Sequence, residues 1–287
     1  AYGYGIKSLY TNILFVYKYL KNNNYDIIHI TGTEHYLLPF LPKEKTIVTV
    51  HDVGSIITAN KSKIHSWIKK LLWIKTLSLA RFVTFISTQT MNETNSMVMI
   101  KHSKVIFNPV DPSFLFSPKS LNIEKPIILH IGTKKNKNLD NTVIALKDIN
   151  CHLRIVGKLS AKQIDLLNNS GISYSNVFNI SDKELLEEYK QCDIVNFIST
   201  YEGFGMPIIE GQAIGRVVVT SNLEPMKSVA DNGAIFVNPY DLDSIREGYK
   251  KAITEYLEIV AKGIENVKRF NVNCIASQYL DLYNEII

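Results

Sequence analysis

Short apolar runs alternate with longer helical stretches along the whole chain. Several runs are apolar at nearly every position, such as Lys45–Val50 (KTIVTV) and Asp193–Ile198 (DIVNFI), which is typical of strands buried on both faces. The stretches between them carry helix signals, such as the capping-box spacing of Ser181 and Glu184 in Ser181–Gln191. This repeated alternation predicts an α/β protein with parallel sheets. The predicted strands are Tyr25–Ile30, Lys45–Val50, Phe82–Ser87, Lys104–Phe107, Pro126–Ile131, His152–Val156, Asn176–Ile180, Asp193–Ile198, Val217–Thr220 and Ala234–Val237.

A proline-rich segment interrupts this alternation. Residues 108–126 contain four prolines and no clear periodicity, which favours an extended linker. The linker separates two α/β halves, and in open α/β sheets ligands bind beyond the carboxyl ends of the strands. We therefore expect a ligand-binding cleft between the two halves, lined by residues that directly follow the strands.

Composition narrows the class of protein. With 46% hydrophobic and 21% charged residues among 287, the chain is typical of a globular protein rather than a disordered or fibrous one. No apolar run reaches the roughly 18 residues that span a bilayer, and residues 1–5 lack the pattern of a secretory leader. Three widely spaced cysteines argue against a disulfide scaffold and a zinc module. These features predict a cytoplasmic protein.

Positive charge is concentrated in the first half of the chain. Residues 1–115 carry 13 Lys/Arg and 6 Asp/Glu, a net charge of +7, whereas the remainder carries 19 and 21, a net charge of −2. This asymmetry predicts an anionic partner for the first half. Nucleic acid is disfavoured as that partner, because no RNA- or DNA-binding motif accompanies the charge.

The segment Lys61–Phe82 holds both tryptophans and six of the basic residues. A basic, tryptophan-bearing amphipathic helix is typical of a helix that lies on an anionic membrane. The same pattern also suits a helix that covers the first sheet and exposes a solvated basic face. Both alternatives remain open, so peripheral membrane binding is one of two expectations. The side chains predicted to share one helical face are Ile64, Trp67, Ile68, Leu71, Leu72, Lys75 and Leu79.

The strongest candidate site is Ser199–Gly215 (STYEGFGMPIIEGQAIG), directly after the strand DIVNFI. Gly203 and Gly205 allow a tight turn and a close approach of the backbone to a ligand. Pro207 suits the first turn of a helix, where its missing N–H costs nothing. The amides and the dipole at that helix start favour a phosphate group.

Two glutamates flank this turn, and their carboxylates are acceptors for substrate hydroxyl groups. Glu202 lies in the turn and Glu210 in the following helix, with seven residues between them. The segment resembles the donor-binding motif of the retaining GT-B glycosyltransferases of family 4. Six other segments resemble signatures of that family in the same order, namely Val48–Ile56, Phe85–Glu93, Val105–Phe114, Ile128–Asn138, Leu153–Lys158 and Ser181–Asp193.

The resemblance implies a GT-B architecture, in which two Rossmann-like domains face a central cleft. Residues 1–110 would form the acceptor-side domain, and residues 111–272 would form the domain that binds the nucleotide-sugar donor. The first strand of the first domain is expected to be missing, because the sequence opens at the glycine-rich loop. Gly5 of that loop would approach the donor phosphate. Residues 273–287 would form a helix that packs back on the first domain.

The resemblance also assigns roles to individual residues. Glu210 would bind the ribose of the nucleotide, and Glu202 would lie beside the donor sugar. His51, at the end of the strand KTIVTV, would contact the sugar at the reaction centre, although a histidine at a strand end can also be structural. We therefore expect His51 and Glu202 to be catalytic. The residues whose amides would contact the sugar and phosphate are Gly203, Phe204, Gly205 and Met206.

The loop Gly132–Asn138 (GTKKNKN) follows the strand PIILHI and resembles the loop that holds the donor diphosphate in that family. Lys137 matches the lysine of the family pattern. Thr133 stands where the family usually has an arginine, so a neighbouring lysine, 134 or 135, would have to supply the second charge. The alternative, favoured for each of these two lysines individually, is a solvated surface turn. Neither lysine can reproduce the bidentate fork of arginine.

The function that the resemblance implies is transfer of a sugar from a nucleotide-sugar donor to an acceptor hydroxyl. The anomeric configuration would be retained, and neither a metal ion nor another cofactor would be required. The acceptor would be a glycan, a lipid-linked molecule or a small molecule. Two alternatives remain: a nucleotide-sugar hydrolase or epimerase of GT-B architecture, and a catalytically idle protein that binds nucleotide sugars.

Overall fold

The structure is a computed structural model, and it describes residues 6–54 and 70–287. The chain divides into two compact units, the first of Ala1–Phe107 with Ala276–Ile287 and the second of Asn108–Ile275. The strands of the described residues are β1 (Ile28–Ile30), β2 (Thr46–Val50), β3 (Phe82–Phe85), β4 (Ser103–Val105), β5 (Ile127–Ile131), β6 (His152–Val156), β7 (Ser173–Val177), β8 (Ile194–Phe197), β9 (Val217–Ser221) and β10 (Ile235–Val237). The α-helices are α1 (Ile6–Lys21), α2 (Thr88–Asn95), α3 (Leu139–Leu146), α4 (Ala161–Ser170), α5 (Asp182–Gln191), α6 (Met206–Ile214), α7 (Met226–Ala230), α8 (Leu242–Thr254), α9 (Tyr256–Val267) and α10 (Val272–Asn284).

The sheet of the first unit is parallel throughout the described residues, in the order β1-β2-β3-β4. Side chains on both faces of its central strands are buried. Ile47 and Val48 of β2, at successive positions and so on opposite faces, have no exposed surface, and neither do Val83 and Phe85 of β3. Each buried side chain of this size contributes about 1.5–3 kcal/mol relative to exposure.

The end of α10 belongs to the first unit, where a polar cluster holds it. The His29 imidazole lies between Tyr283 Oη, 2.7 Å from Nδ1, and Thr49 Oγ1, 2.8 Å from Nε2. Tyr279 Oη lies 3.3 Å from the same threonine hydroxyl. Burial, with a smaller effect of His51, lowers the pKa of His29 to about 4. The histidine is therefore neutral at pH 7, and its hydroxyl partners can accept from the protonated ring nitrogen and donate to the other.

The sheet of the second unit is also parallel, in the order β7-β6-β5-β8-β9-β10. Numbered from β5, this is the order 3-2-1-4-5-6 of a Rossmann fold. Helix α8 packs on α3, and α9 packs on α6. The strand order reverses between β5 and β8, which makes the carboxyl ends of these two strands the topological switch point. The two sheets confirm the predicted α/β fold with Rossmann-like domains.

Helix α5 begins as its sequence predicts. The Ser181 hydroxyl accepts a hydrogen bond from the Glu184 amide, and the Glu184 carboxylate accepts one from the Ser181 amide at 2.7 Å. These reciprocal bonds satisfy two amides that the first turn of a helix leaves without partners. Ser160 and Gln163 form an equivalent capping box at the start of α4.

Two local predictions are wrong in the described residues. The strand predicted at Asn176–Ile180 is β7, which begins at Ser173 and ends before Asn179, a residue with φ of +56°. The helix predicted over Lys61–Phe82 is described only from residue 70, where a π-helical turn (Lys70–Ile74) leads into a 3₁₀ helix (Lys75–Leu79).

These turns shift the buried face of the segment away from the predicted one. Leu71 and Leu79 are 40% and 38% exposed, whereas Ile74 and Leu77 are fully buried in the core of the first unit. The predicted face assumed 3.6 residues per turn throughout, and a π-helical turn followed by a 3₁₀ helix breaks that period. The remainder of that face, residues 64–68, lies outside the described residues.

The proline-rich linker has neither helix nor strand between residues 106 and 126. Contacts with the second unit hold it in place. The Val110 amide donates to the Phe270 carbonyl at 2.9 Å, and Lys119 Nζ lies 2.6 Å from the buried carboxylate of Asp193. In the parts of the chain that the structure describes, no helix has both the length and the hydropathy needed to cross a membrane.

Candidate functional site

The loops that follow β5 and β8 meet at the switch point of the second sheet. The Thr200 amide donates to the Asn136 carbonyl at 2.8 Å, and the Asn136 side-chain amide donates to the Tyr201 carbonyl at 2.9 Å. Two motifs that are more than 60 residues apart in sequence are thereby joined by direct hydrogen bonds. Because ligands of open α/β sheets bind at such a point, these loops form the candidate site.

An ion pair lies where the loops meet. Lys137 Nζ is 2.6 Å from Glu202 Oε1, and the two side chains are only 20% and 14% exposed. Asn136 Nδ2 donates to the same carboxylate oxygen at 3.1 Å. Lys137 Nζ also lies 4.6 Å from the centroid of the Phe197 ring, which favours a cation. The lysine and the glutamate that the sequence predicted for one site are therefore in direct contact.

Gly132 leaves room for the lysine stem. Its φ is +88°, and a Cβ at this position would lie 3.0 Å from Lys137 Cγ. A residue with a side chain would be strained in this backbone conformation and would also push the lysine aside. The absence of a side chain at Gly132 therefore allows the Lys137 side chain to pass close to the backbone at the end of β5.

Helix α6 begins at the same place. Gly205 precedes it with φ of +119°, provides no side-chain cap, and is followed by Pro207 in the first turn. A Cβ at Gly205 would lie 3.0 Å from Ile208 Cδ1 and 3.3 Å from the Phe197 ring. The start of the helix thus packs tightly against the end of β8, with its positive dipole end beside the Lys137–Glu202 pair.

Glu210 lies one turn into α6 and is largely buried. Its Oε2 accepts a hydrogen bond from the Tyr189 hydroxyl of α5. Burial raises the pKa of Glu210; the Tyr189 hydrogen bond opposes this, and the charges of Asp111 and Asp182 add to it. Burial, with the nearby carboxylate, raises the pKa of Tyr189 well above its usual value. Tyr189 is therefore a permanent donor to this carboxylate at neutral pH.

The Thr133 hydroxyl is already engaged. It donates to the Lys158 carbonyl at 2.6 Å, and Gln163 Nε2 donates to the Thr133 carbonyl at 2.9 Å. These bonds join the loop after β5 to the loop after β6 and to α4. Donor binding by Thr133 stays a prediction, and the observed role of its side chain is to connect the loops.

The remaining predicted residues lie apart from this group in sequence. His51 follows β2 in the first unit, and its Nε2 donates to the Thr31 carbonyl at 2.7 Å. In the neutral ring Nδ1 is then an acceptor. Asp52 Oδ1 accepts from the Gly54 amide at 3.1 Å. Gly5 lies outside the described residues.

Three residues of the site were not predicted from the sequence: Asn136, Tyr189 and Phe197. Asn136 stands within the lysine-rich loop, and Phe197 closes the apolar strand DIVNF, so neither shows a chemical signal by itself. Tyr189 lies on the buried side of α5, where an aromatic residue is ordinarily part of the core. Among the described residues, no group of three or more His, Cys, Asp or Glu side chains is placed to hold a metal ion.

Comparison with known families covers almost the whole chain. The model of Glycosyltransferase Family 4 matches residues 3–114, and the model of Glycosyl transferases group 1 matches residues 114–270, more than half of the chain. This protein belongs to the family of glycosyl transferases group 1. The second match contains all the site residues of the second unit, including both glutamates and Lys137.

Several relatives are about a quarter identical to this chain over the residues that align. The O-antigen chain mannosyltransferase RfbU of Salmonella typhimurium is 24% identical over 263 residues, 85% of this chain and 72% of that protein. The N,N'-diacetylbacillosaminyl-diphospho-undecaprenol alpha-1,3-N-acetylgalactosaminyltransferase of Campylobacter jejuni is 24% identical over 182 residues, 59% of this chain and 47% of that protein. The mannosyltransferase WbdA of Escherichia coli is 27% identical over 111 residues, 38% of this chain and only 14% of that protein. This chain therefore spans less than two thirds of several of its relatives.

The fold agrees with that of solved GT-B structures. Sucrose-phosphate synthase from Thermosynechococcus elongatus superposes with a TM-score of 0.81 at 19% identity, over 98% of this chain and 78% of that one. At this level of identity the likeness shows the fold. It confirms the predicted GT-B class.

Proposed function

We propose that this protein transfers a sugar from a nucleotide-sugar donor to an acceptor hydroxyl and retains the anomeric configuration. The observation that carries the proposal is the contact between Lys137 and Glu202 at the start of α6, at 2.6 Å. This arrangement puts a cation and a helix dipole, which favour a diphosphate, within reach of a carboxylate that accepts from sugar hydroxyls. The mannosyl- and N-acetylgalactosaminyltransferases among its relatives support the same class of reaction.

The donor would extend from Glu210 to Glu202. The Glu210 carboxylate would accept from the ribose hydroxyls while keeping its hydrogen bond from Tyr189, since two carboxylate oxygens offer about four acceptor positions. Lys137 and the first amides of α6 would hold the diphosphate. When the diphosphate arrives, it competes with Glu202 for the lysine, so Glu202 becomes available to the donor sugar.

The reaction proceeds by exchange of one bond to the anomeric carbon. The acceptor oxygen forms the new bond, and the bond from that carbon to the diphosphate oxygen breaks with its electron pair going to the diphosphate. The same diphosphate takes the acceptor proton, which requires that both groups lie on one face of the sugar and so retains configuration. Lys137 and the helix start stabilise the developing negative charge. Glu202 and His51 orient the sugar.

No metal ion or other cofactor is part of this proposal, and the nucleotide sugar is a substrate. The acceptor would be a glycan, a lipid-linked molecule or a small molecule. The Campylobacter jejuni relative is named for a diphospho-undecaprenol acceptor, which supports a lipid-linked one. A cytoplasmic location with peripheral binding of Lys61–Phe82 to an anionic membrane would match such an acceptor, and helix coverage of the sheet is the alternative.

A panel of nucleotide sugars, each incubated with and without acceptors, tests the proposal. Transfer predicts that nucleoside diphosphate is released only when an acceptor is present. Release of free sugar without acceptor would contradict transfer and identify a hydrolase, and conversion of the donor sugar to its epimer would identify an epimerase. Binding of the donor without any turnover across the panel would identify an idle binding protein.

A further inference from the structure

A cavity opens at the carboxyl edge of the second sheet, next to the candidate donor site. Its volume is about 720 Å³, within the range of about 300–1,000 Å³ that is usual for ligand pockets. The loops after β5 and β6, the first turns of α3 and α4, Thr200 and Tyr240 surround it. Thr133, which the family resemblance assigns to the donor site, lines this cavity, but Lys137, Glu202 and Glu210 do not. The cavity therefore borders the proposed donor site without including its ion pair or its ribose-binding carboxylate.

The lining is strongly positive. Four lysines and one carboxylate, that of Asp140, give the cavity walls a net charge of +3. Asp140 Oδ2 lies 3.9 Å from Lys162 Nζ at the exposed rim. A concave surface with charge of one sign concentrates counter-ions, so the cavity attracts an anion. The four lysines are Lys134, Lys135, Lys158 and Lys162.

The backbone beneath these lysines is fixed by direct contacts. The Thr133 hydroxyl holds the Lys158 carbonyl at 2.6 Å. Gly157, with φ of +143°, lets the two loops approach, because a Cβ there would lie 3.0 Å from Thr133 Cγ2. Lys134 and Lys158 therefore extend from two loops whose backbones are held together. This lowers the conformational entropy that is lost when both side chains bind one ligand.

Two uncharged side chains, those of Asn138 and Asn141, line the cavity on the side of α3. Asn138 directly precedes the helix but does not cap it, because its Nδ2 donates to the Pro239 carbonyl at 2.7 Å. Asn141 Nδ2 donates to the same carbonyl at 3.2 Å. The first turn of α3 therefore has no side-chain cap where it meets the lysines. Tyr240, the residue after Pro239, also lines the cavity, and its ring is 67% exposed.

We propose that this cavity is a second binding site that takes a phosphorylated sugar. The lysines and the start of α3 would hold the phosphate, and the Tyr240 ring would stack on the sugar. Hydroxyl and amide side chains in the lining would meet the sugar hydroxyls; these are Thr133, Ser160, Gln163 and Thr200. The site requires no transfer reaction, so its test is independent of the proposed function.

Titration of the protein with inorganic pyrophosphate, followed by the amide signals in its NMR spectrum, tests the phosphate part. Signals of residues 139–141 and 158–163 should shift. Lys158→Glu, and separately Lys162→Glu at the exposed rim, should weaken binding at these signals about tenfold or more, because a positive charge next to the anion becomes negative. Lys251→Glu, the same charge change at an exposed position in α8, should leave it unchanged.

Two results would overturn the proposal: shifts confined to residues 203–208 of the donor site, or equal weakening by Lys251→Glu, which would mean non-specific attraction. Glucose 6-phosphate tests the sugar part. Tyr240→Ala should weaken binding of glucose 6-phosphate severalfold and leave pyrophosphate binding unchanged. Equal effects on both probes, or none on either, would show that the ring does not meet a sugar.

Discussion

Glu210 illustrates at the residue scale how function and stability oppose each other. Burial raises its pKa, so the folded protein disfavours the ionised carboxylate that would bind ribose. Tyr189 donates to that carboxylate and offsets part of this cost. The Glu210 carboxylate is thus positioned to bind a ligand, and keeping it ionised in a buried position lowers the stability of the folded protein.

The variant Glu210→Gln tests this conflict through pH dependence. The pKa of Glu210 rises from 4.5 on folding, so the stability linked to its protonated form is complete below pH 4.5 and is lost as pH rises through the folded pKa. The glutamine variant should therefore exceed the wild type in free energy of unfolding by more at pH 7 than at pH 4.5, as measured with urea. Its nucleoside-diphosphate affinity should fall by about 1.5–3 kcal/mol in calorimetry.

Glu187→Gln, an exposed position on the neighbouring helix α5, is the control for the stability measurement and should show no such gap. A Glu210→Gln protein that binds nucleotide as tightly as the wild type would contradict the ribose assignment. If the difference in free energy of unfolding between Glu210→Gln and the wild type does not change with pH, the burial argument is contradicted but the ribose assignment is not.

His51 separates chemistry from nucleotide binding. Its Nε2 is held by the Thr31 carbonyl, which aligns the ring at the end of β2. His51→Ala should therefore lower turnover strongly while nucleoside-diphosphate affinity changes little, since the imidazole is proposed to orient the sugar. Steady-state kinetics at saturating substrates and calorimetry on the same protein measure both. Wild-type turnover would show that His51 is only structural.

The residues that could be predicted from sequence are those with a chemical signal of their own. Glu202, Lys137 and Gly205 stand in motifs whose spacing is distinctive, and the structure brings them together at the switch point. Tyr189 could not be predicted, because a tyrosine on the buried side of a helix has the same pattern as a core residue. Its role follows only from the packing of α5 against α6, which the local sequence does not encode.

At the scale of elements, the start of α6 depends on one glycine. Gly205 has positive φ, and a Cβ there would meet Ile208 and Phe197 closely. Gly171 also has positive φ, of +74°, but a Cβ there would meet no atom within 4 Å. The two positions share the backbone strain of a left-handed conformation but differ in packing. Comparing substitutions at these two glycines therefore distinguishes the effect of backbone strain from the effect of displacing the start of α6.

Alanine at these two glycines gives a matched comparison. Gly171→Ala should lower the free energy of unfolding by about 1–2 kcal/mol and leave turnover unchanged. Gly205→Ala should lower it further, because Ile208 and Phe197 must move, and should reduce turnover by up to about 100-fold, since catalytic groups are displaced by roughly 1 Å. Urea unfolding and steady-state kinetics measure both effects. Equal turnover in the two variants would contradict the positioning role of Gly205.

Strands were easier to predict than irregular helices for a physical reason. A strand buried on both faces is apolar at successive positions, and this signal is clear in the central strands β8 and β9. The edge strand β7 (SYSNV) lacks it and was placed three residues late. The segment after residue 70 departs from its predicted helix, because its π-helical and 3₁₀ turns bury Ile74 and Leu77. An apolar pattern fixes which residues are buried only when the number of residues per turn is known.

At the scale of the whole molecule, the basic charge of the first half predicts a salt-dependent affinity for anionic lipid. If Lys61–Phe82 lies on a membrane, each basic residue near the surface contributes about 1 kcal/mol. Co-sedimentation with vesicles should rise with the fraction of anionic lipid and fall, without vanishing, at high salt. Reversing the charges of Lys69, Lys70 and Lys75 should abolish it.

A charge-matched triple variant in the second unit, with glutamate at the exposed positions Lys227, Lys250 and Lys251, is the control and should still co-sediment. Trp67→Ala should weaken the part of the binding that resists salt. If the wild-type protein does not bind anionic vesicles even at low salt, membrane binding by Lys61–Phe82 is contradicted. The segment would then only cover the first sheet, and a soluble acceptor would be favoured.

The configuration of the product tests the central claim most directly. The anomeric proton of the newly formed glycosidic bond can be followed by NMR during the reaction, starting from a donor of known anomeric configuration. Retaining transfer predicts that the first product observed has the configuration of the donor and that it accumulates in step with nucleoside diphosphate. A first product of opposite configuration, or free sugar in place of a glycoside, would contradict the account.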